Sequence, residues 1–439
     1  MEYNFKGLIK SYKGYSLPFI VSDARLCLDV SSLPFGEVNH IDTNGNVVFT
    51  NDIPFHEEYL EGITDQGKFI KLHVEQYYVL DNLIFEMDKC HIGGFVSSCI
   101  VLDDKNYKDN IDKVSFFSYY TSKILGHHVS GGITENQLEL LGFNKNMASY
   151  VENNNKYYVL HDFLNKEPFC HSQTISVKSD KPLTVGMLED IYWTMRKFFT
   201  FMFQVKDVPI IDVCLHNGDA IIGHLFIKQS KAEPEFLDKI KCLQISSWKD
   251  KLSNLFQALV DKKIYLRHLP DLDSQKSEYS ASRFLVTIIG FESALDALNI
   301  KADYSEEHRK AIDEVKKEIN FLKDHSGNKN EKKEYSSILN NLEYDRLECR
   351  YENAFKQNEE YIKNFYVFSN LGESIQEVAQ GLARSRNNFA HGNLDEDLSW
   401  KHANYCDFLD LFILYLQLLY IGVPKDIAYV TVPQIMFER

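Results

Sequence analysis

The hydrophobic residues of this 439-residue chain change their period roughly two thirds of the way along, and that change sets the order of its parts. Up to about residue 180, apolar and β-branched residues come in short alternating runs: 24–30, 45–50, 67–74, 94–102 and 156–161. Alternation of this kind is the period of half-buried strands, and Asn44-Gly45 and Gly131-Gly132 are turn signals between them. No strand–helix–strand alternation is present, so an antiparallel sandwich or barrel is expected rather than a doubly wound parallel sheet. Two helices are expected between about residue 180 and residue 270. One lies near 183–204, with Tyr192, Trp193, Phe198, Phe199, Phe201 and Phe203, and the other near 248–262. Between them, 208–228 reads as a hairpin around His216-Asn217-Gly218-Asp219.

From about residue 276 the period becomes helical. Helices are expected over 279–298, 305–323 (capped by Ser305), 335–364, 372–391 and 395–421, with a polar loop at 325–333. The loop at 267–274 marks the expected boundary. The chain therefore reads as α+β and multidomain: a β-rich antiparallel region over 1–270, then an all-α helical bundle over 271–439.

The net charge of −15 argues against a general polyanion binder, because phosphate attraction needs positive surface. Residues 271–439 alone hold 20 Lys+Arg against 29 Asp+Glu, a net of −9. An RNA substrate would have to meet a small local patch, for which Lys356, Lys363, Arg384 and Lys401 are candidates. The first residues contain no apolar run of signal-peptide length, and the longest apolar stretch, 411–423, is short of the roughly 20 residues that span a bilayer. The eight cysteines are scattered without a CxxC pair, which fits reduced thiols and a cytoplasmic setting. Cys90-His91, Cys170-His171 and Cys214-Leu215-His216 match no standard zinc-module spacing, so neither metal nor cofactor is expected. His127-His128 reads as an exposed loop.

The most specific chemistry lies in Arg386-Asn387-Asn388-Phe389-Ala390-His391. On a helical wheel Ile375, Val378, Leu382 and Phe389 form one apolar stripe, and Arg386 falls within it, where a guanidinium requires a partner. His391 lies about 140° around a straight helix from Arg386. Gly392-Asn393 follows as a helix stop, and Asn387 lies one turn before His391, placed to orient its ring. Arg can hold a phosphate through two N–H groups and stabilise a phosphorane-like transition state. His can take the proton of a ribose 2′-OH or give one to the leaving 5′-oxygen. Together they suit metal-independent cleavage of RNA to a 2′,3′-cyclic phosphate and a 5′-OH. Two copies across a two-fold axis would supply both an acid and a base, so a homodimer or higher even oligomer is expected.

This segment, late in an all-α domain, resembles the RNxxxH signature of the HEPN superfamily. The helix carrying Gly290-Phe-Glu-Ser-Ala-Leu-Asp-Ala-Leu298 is similar to a first HEPN helix. The β-rich region before it, with Phe5-Lys-Gly-Leu8, Ala24-Arg-Leu-Cys-Leu28 and 62–72, resembles the N-terminal domain of ApeA-type anti-phage proteins. The resemblance implies a ribonuclease of abortive-infection defence, released by a phage component and cleaving host RNA, with tRNA the leading substrate. Arg386, Asn387 and His391 carry over as the catalytic motif. Glu292 matches an acidic position often seen on the first helix, in a supporting role or simply as a partner for Arg386. The competing expectation is a non-catalytic HEPN scaffold that only dimerises, with Arg386 in a structural ion pair and the β domain binding a protein ligand.

Overall fold

The computed structural model describes residues 4–12, 15–30, 39–41, 47–49, 58–79, 91–118, 121–125, 145–164, 172–208, 210–227, 241–343, 346–363, 368, 372–391 and 398–435. The Asn44-Gly45 and Gly131-Gly132 turns and His127-His128 lie outside them. The chain divides into two compact units, one of residues 1–203 with 207–260, the other of 204–206 with 261–439. The split falls ten residues before the expected boundary between residues 270 and 271. Residues 261–270 join the helical unit because His268 and Leu269 are buried, and because the Pro270 and Tyr265 carbonyls accept hydrogen bonds from Lys206 N–H and the Gln417 amide.

Fourteen strands are described in the first unit: β1 (Asn4–Tyr12), β2 (Tyr15–Ser22), β3 (Arg25–Asp29), β4 (Asn39–Ile41), β5 (Val47–Phe49), β6 (Tyr59–Thr64), β7 (Phe69–Val79), β8 (His91–Leu102), β9 (Lys113–Phe117), β10 (Lys145–Glu152), β11 (Asn155–Leu164), β12 (Ser172–Ser179), β13 (Asp212–Asn217) and β14 (Ala220–Ile227). All pair antiparallel, twelve of them in one sheet and β4 with β5 in a second. β8 is the fork. Its first half pairs with β3 and its second half with β14, while β7 runs along its other side. The circuit β8-β3-β2-β1-β6-β7 therefore closes into a six-stranded barrel, and β14-β13-β9-β12-β11-β10 extends the sheet beyond it. Residues alternate along β2, where Leu17, Phe19 and Val21 are buried and Pro18 and Ile20 exposed. The inward residues join Leu26, Leu28, Leu60, Ile70, Leu72 and Ile92 in one core.

β1 and β6 meet through glycines. A Cβ on Gly7 would collide with the Ile63 carbonyl oxygen, and one on Gly62 with that of Leu8. Neither obstacle is a side chain that can rotate away, so Gly62→Ala is expected to cost about 1–3 kcal/mol of stability. Gly186→Ala is the control. Its Cβ would meet nothing within 4 Å, and in a helix the change should be neutral or slightly stabilising. Thermal melts of the two variants check both expectations.

Two helices cover the sheet's apolar face. α2 (Val185–Phe203) follows the short α1 (Thr121–Leu125), and α3 is Leu252–Val260. Tyr192 packs against Phe116, and Phe256 stacks on Phe198 and Tyr150. Glu189 of α2 is held by His73 Nδ1 at 2.9 Å and by the Ser98 hydroxyl.

The second unit is helical: α4 (Ala281–Ala297), α5 (Glu306–His325), α6 (Lys329–Glu343), α7 (Leu347–Lys356), α8 (Glu359–Ile362), α9 (Ile375–Ala390), α10 (Trp400–Tyr420) and α11 (Lys425–Thr431). Ser280 and Ser305 cap α4 and α5 by accepting from the Arg283 and His308 N–H groups. The single helix expected over 335–364 is instead three. The Asn358 amide bonds back to the Ala354 carbonyl, which ends α7, and Tyr304 takes the N–H at Arg346, where α7 begins. The loop expected at 325–333 is shorter, because α6 starts at Lys329. α10 packs on α4, and α9 on α7 and α4, around a core in which Phe291, Phe355 and Phe412 meet at 5.6–5.7 Å between rings. No described helix is long and apolar enough to cross a membrane.

Candidate active site

α9 carries the Arg-Asn…His segment. It starts in a capping box, the Ser374 hydroxyl accepting from Glu377 N–H while the Glu377 carboxylate accepts from Ser374 N–H. Its inner face holds Val378, Leu382, Ser385 and Phe389, all buried. Ser385, not Arg386, occupies the middle of that face. Arg386 lies at its margin with its side chain 34% exposed, next to a Glu292 carboxylate that is 19% exposed. The stripe position read from the wheel is therefore shifted by one residue, a consequence of the small Ser385 facing inward to meet His402.

Three helices converge on the Glu292 carboxylate. Arg386 Nε of α9 lies 3.4 Å from Glu292 Oε1 of α4, and the Tyr351 hydroxyl of α7 donates to the same oxygen at 2.7 Å. Burial, and then the charge on Glu292, push the Tyr351 phenol up, so it stays a proton donor to the carboxylate. Glu292 thus faces the Nε side of the guanidinium through a single ion pair. Of the other N–H groups, one Nη1 hydrogen points at Asn387 Oδ1, 3.5 Å away. The rest have no protein partner among the described residues. A guanidinium held by one edge and free along another is suited to take a phosphate through paired N–H groups.

His391 is the C-cap of α9. Its backbone stays near the helical region (φ −89°, ψ 6°), and its N–H donates to the Asn387 carbonyl at 3.1 Å. The imidazole is exposed and has no partner among the described residues. Because the backbone has not yet left the helix here, Arg386 and His391 point about 140° apart around its axis. One chain thus offers both groups at one helix end, but on different sides of it. Asn387 is exposed, and its side chain turns to Arg386 rather than to the imidazole.

Two of the other basic candidates are paired with carboxylates. Lys356 pairs with Glu352 at 2.7 Å, and Lys401 pairs with Glu373 at 3.0 Å and lies over the Tyr405 ring. Lys363 and Arg384 are exposed. Sequence reasoning also passed over His402, which locks the end of α9 in place. Its Nδ1 accepts from Ser399 N–H at 3.1 Å, so Nε2 carries the proton and donates to the Ser385 hydroxyl. Its ring packs edge-on against Phe389 and Phe284. Tyr351 and His402 each sit in a helix of their own, far from the motif in sequence, and no local pattern points to either.

Of the Cys-His pairs, Cys90, Cys170 and His171 lie outside the described residues. Cys214 and His216 share a face of β13, but His216 Nε2 meets the Ser115 hydroxyl at 2.9 Å. The neighbours of Cys214 are instead Asp212 and His224. No protein-family model matches the chain, and neither any curated protein nor any solved structure does.

Proposed function

We propose that the helical unit is a metal-independent endoribonuclease of the HEPN type that acts as a homodimer, with a β-rich N-terminal unit that senses or regulates. The observation that carries this reading is the end of α9. A partly exposed guanidinium, paired at Nε with Glu292, lies five residues before an exposed imidazole that has no partner among the described residues. Arg386 supplies the positive charge that the phosphorane needs, and His391 a proton carrier that works at neutral pH. The divergence of the two side chains around one helix is the reason to invoke a second copy. Across a two-fold axis, the Arg of one chain and the His of the other can flank one phosphate. The substrate class is RNA, with tRNA the leading candidate, and the setting is anti-phage abortive infection triggered by a phage protein. The Arg386–Glu292 ion pair also favours a second reading, a dimerisation scaffold in which Arg386 is purely structural.

Purified protein incubated with total tRNA in EDTA, with end-group analysis of the fragments, separates the two. The enzyme reading expects cyclic phosphates and 5′-OH ends that disappear in His391→Ala. No cleavage by the wild type, with candidate phage proteins added, supports the scaffold. Equal cleavage by both proteins overturns the assignment of this site.

A further inference from the structure

The β13–β14 hairpin brings together three side chains that no local spacing announces. Its turn is made at Gly218, whose φ of +58° suits glycine. In the resulting register Cys214 stands directly opposite His224. Asp212, two residues before Cys214, lies on the same face of the sheet. The donor atoms then converge. Asp212 Oδ1 is 3.0 Å from His224 Nδ1, Asp212 Oδ2 is 3.4 Å from Cys214 Sγ, and Cys214 Sγ is 4.0 Å from His224 Nδ1.

Two chemistries could use a Cys, a His and an Asp. A nucleophilic triad places the nucleophile and the carboxylate on opposite ring nitrogens, so that the imidazole can pass a proton between them. Here the thiol and the carboxylate both face Nδ1, so no such relay exists. A metal ion needs the opposite arrangement, with all donors turned toward one point. Zinc held tetrahedrally at about 2.0 Å from oxygen and nitrogen and 2.3 Å from sulfur sets its donor atoms roughly 3.3–3.6 Å apart. The Asp212–Cys214 separation falls within that range, the Cys214–His224 separation is longer, and the Asp212–His224 separation, made by the other carboxylate oxygen, is shorter.

The surroundings agree. Asp212 and Cys214 are buried, at 6% and 1% exposure, whereas the His224 side chain is 37% exposed, which leaves one side open for a fourth ligand. Asp212 Oδ1 accepts from Val213 N–H at 2.9 Å, which orients the carboxylate. One thiolate, one imidazole and one carboxylate are the ligand types that zinc accepts, and the thiolate disfavours calcium and magnesium. We propose that Asp212, Cys214 and His224 bind a single zinc ion, with water in the fourth position. The proposal concerns the β-rich unit and does not rest on the ribonuclease reading.

The test uses the full-length protein and zinc alone, in competition with a chromophoric chelator, followed by elemental analysis. One zinc per chain is expected. His224→Ala is the informative variant, since a partly exposed side chain can be removed with the fold intact, as a thermal melt will verify. It should weaken zinc binding at least 10–100-fold, roughly the penalty for losing even an outer partner of a metal ligand. His216→Ala, which removes the neighbouring imidazole, should leave affinity unchanged. Cobalt in place of zinc should give a thiolate charge-transfer band that Cys214→Ser abolishes. Absence of zinc binding by the wild type, or equal affinity in a folded His224→Ala protein, overturns the proposal.

Discussion

Replacing His391 with alanine is expected to slow RNA cleavage by about 10²–10⁴-fold, the usual contribution of a positioned acid or base. Stability should change by no more than about 0.5 kcal/mol, because the side chain is exposed and touches no partner among the described residues. That separation of activity from stability is what distinguishes a catalytic imidazole from a packed one. Arg386→Ala should cost activity on the scale of a lost oxyanion donor, about 10²–10³-fold, together with some stability, since Glu292 would keep only Tyr351 as a partner. Arg386→Lys should not restore the rate, because an ammonium cannot hold Glu292 with one edge and a phosphate with another. Tyr351→Phe leaves the Arg386–Glu292 contact in place and should cost far less activity than either. Single-turnover rates and melting temperatures for these variants decide the matter. Cleavage by His391→Ala at the wild-type rate would remove α9 from the chemistry, whatever its likeness to a nuclease motif.

Legibility in this sequence follows the range of the interactions. The runs at 24–30, 67–74 and 94–102 became β3, β7 and β8 because alternation is a local signal of one buried face. Closure of the barrel was not visible, since it depends on β8 pairing with β7 over its whole length while switching from β3 to β14 halfway. A sandwich and a barrel share the same local pattern. The α9 motif was local too. Glu292 was legible as a partner for Arg386, but Tyr351, which reaches it across 59 positions, was not. The separate partners of Cys214 and His216 were hidden for a related reason. Two residues apart on a strand do share a face, but which neighbour each meets depends on the strands alongside, and β9 offers Ser115 to His216 while β14 offers His224 to Cys214. Asp407 and Asp410 mark the helix 400–420 as something other than a membrane span. Their role becomes clear only when Tyr279 and Arg283 are found against them.

Replacing Arg283 with methionine is expected to destabilise the helical unit by about 3–5 kcal/mol near neutral pH, the cost of leaving a buried charge without its partner. Arg283 Nη2 of α4 lies 2.9 Å from Asp410 Oδ2 of α10, with side chains only 12% and 22% exposed. Its Nη1 also donates to the carbonyls of Gln275, Lys276 and Glu278, which ties the entry of α4 to the same guanidinium. Burial pushes the Asp410 carboxyl up to about 6 even though Arg283 pulls it down. A carboxyl whose folded pKa exceeds its unfolded value of about 3.9 binds its proton more tightly when folded. Its contribution to stability is therefore complete below about pH 4 and fades as pH rises through 6. Without Arg283 the folded value rises further, and the loss extends above pH 6. The deficit of the variant should thus be largest at pH 7–8 and shrink toward pH 5, where Asp410 takes up its proton. Adding Asp410→Leu to Arg283→Met should recover most of the loss, because an apolar pair of similar volume leaves no charge to desolvate. Denaturant unfolding of the wild type and the two variants at pH 5 and pH 8 tests this. A deficit that is the same at both pH values would mean that Arg283 acts through its carbonyl contacts rather than through Asp410.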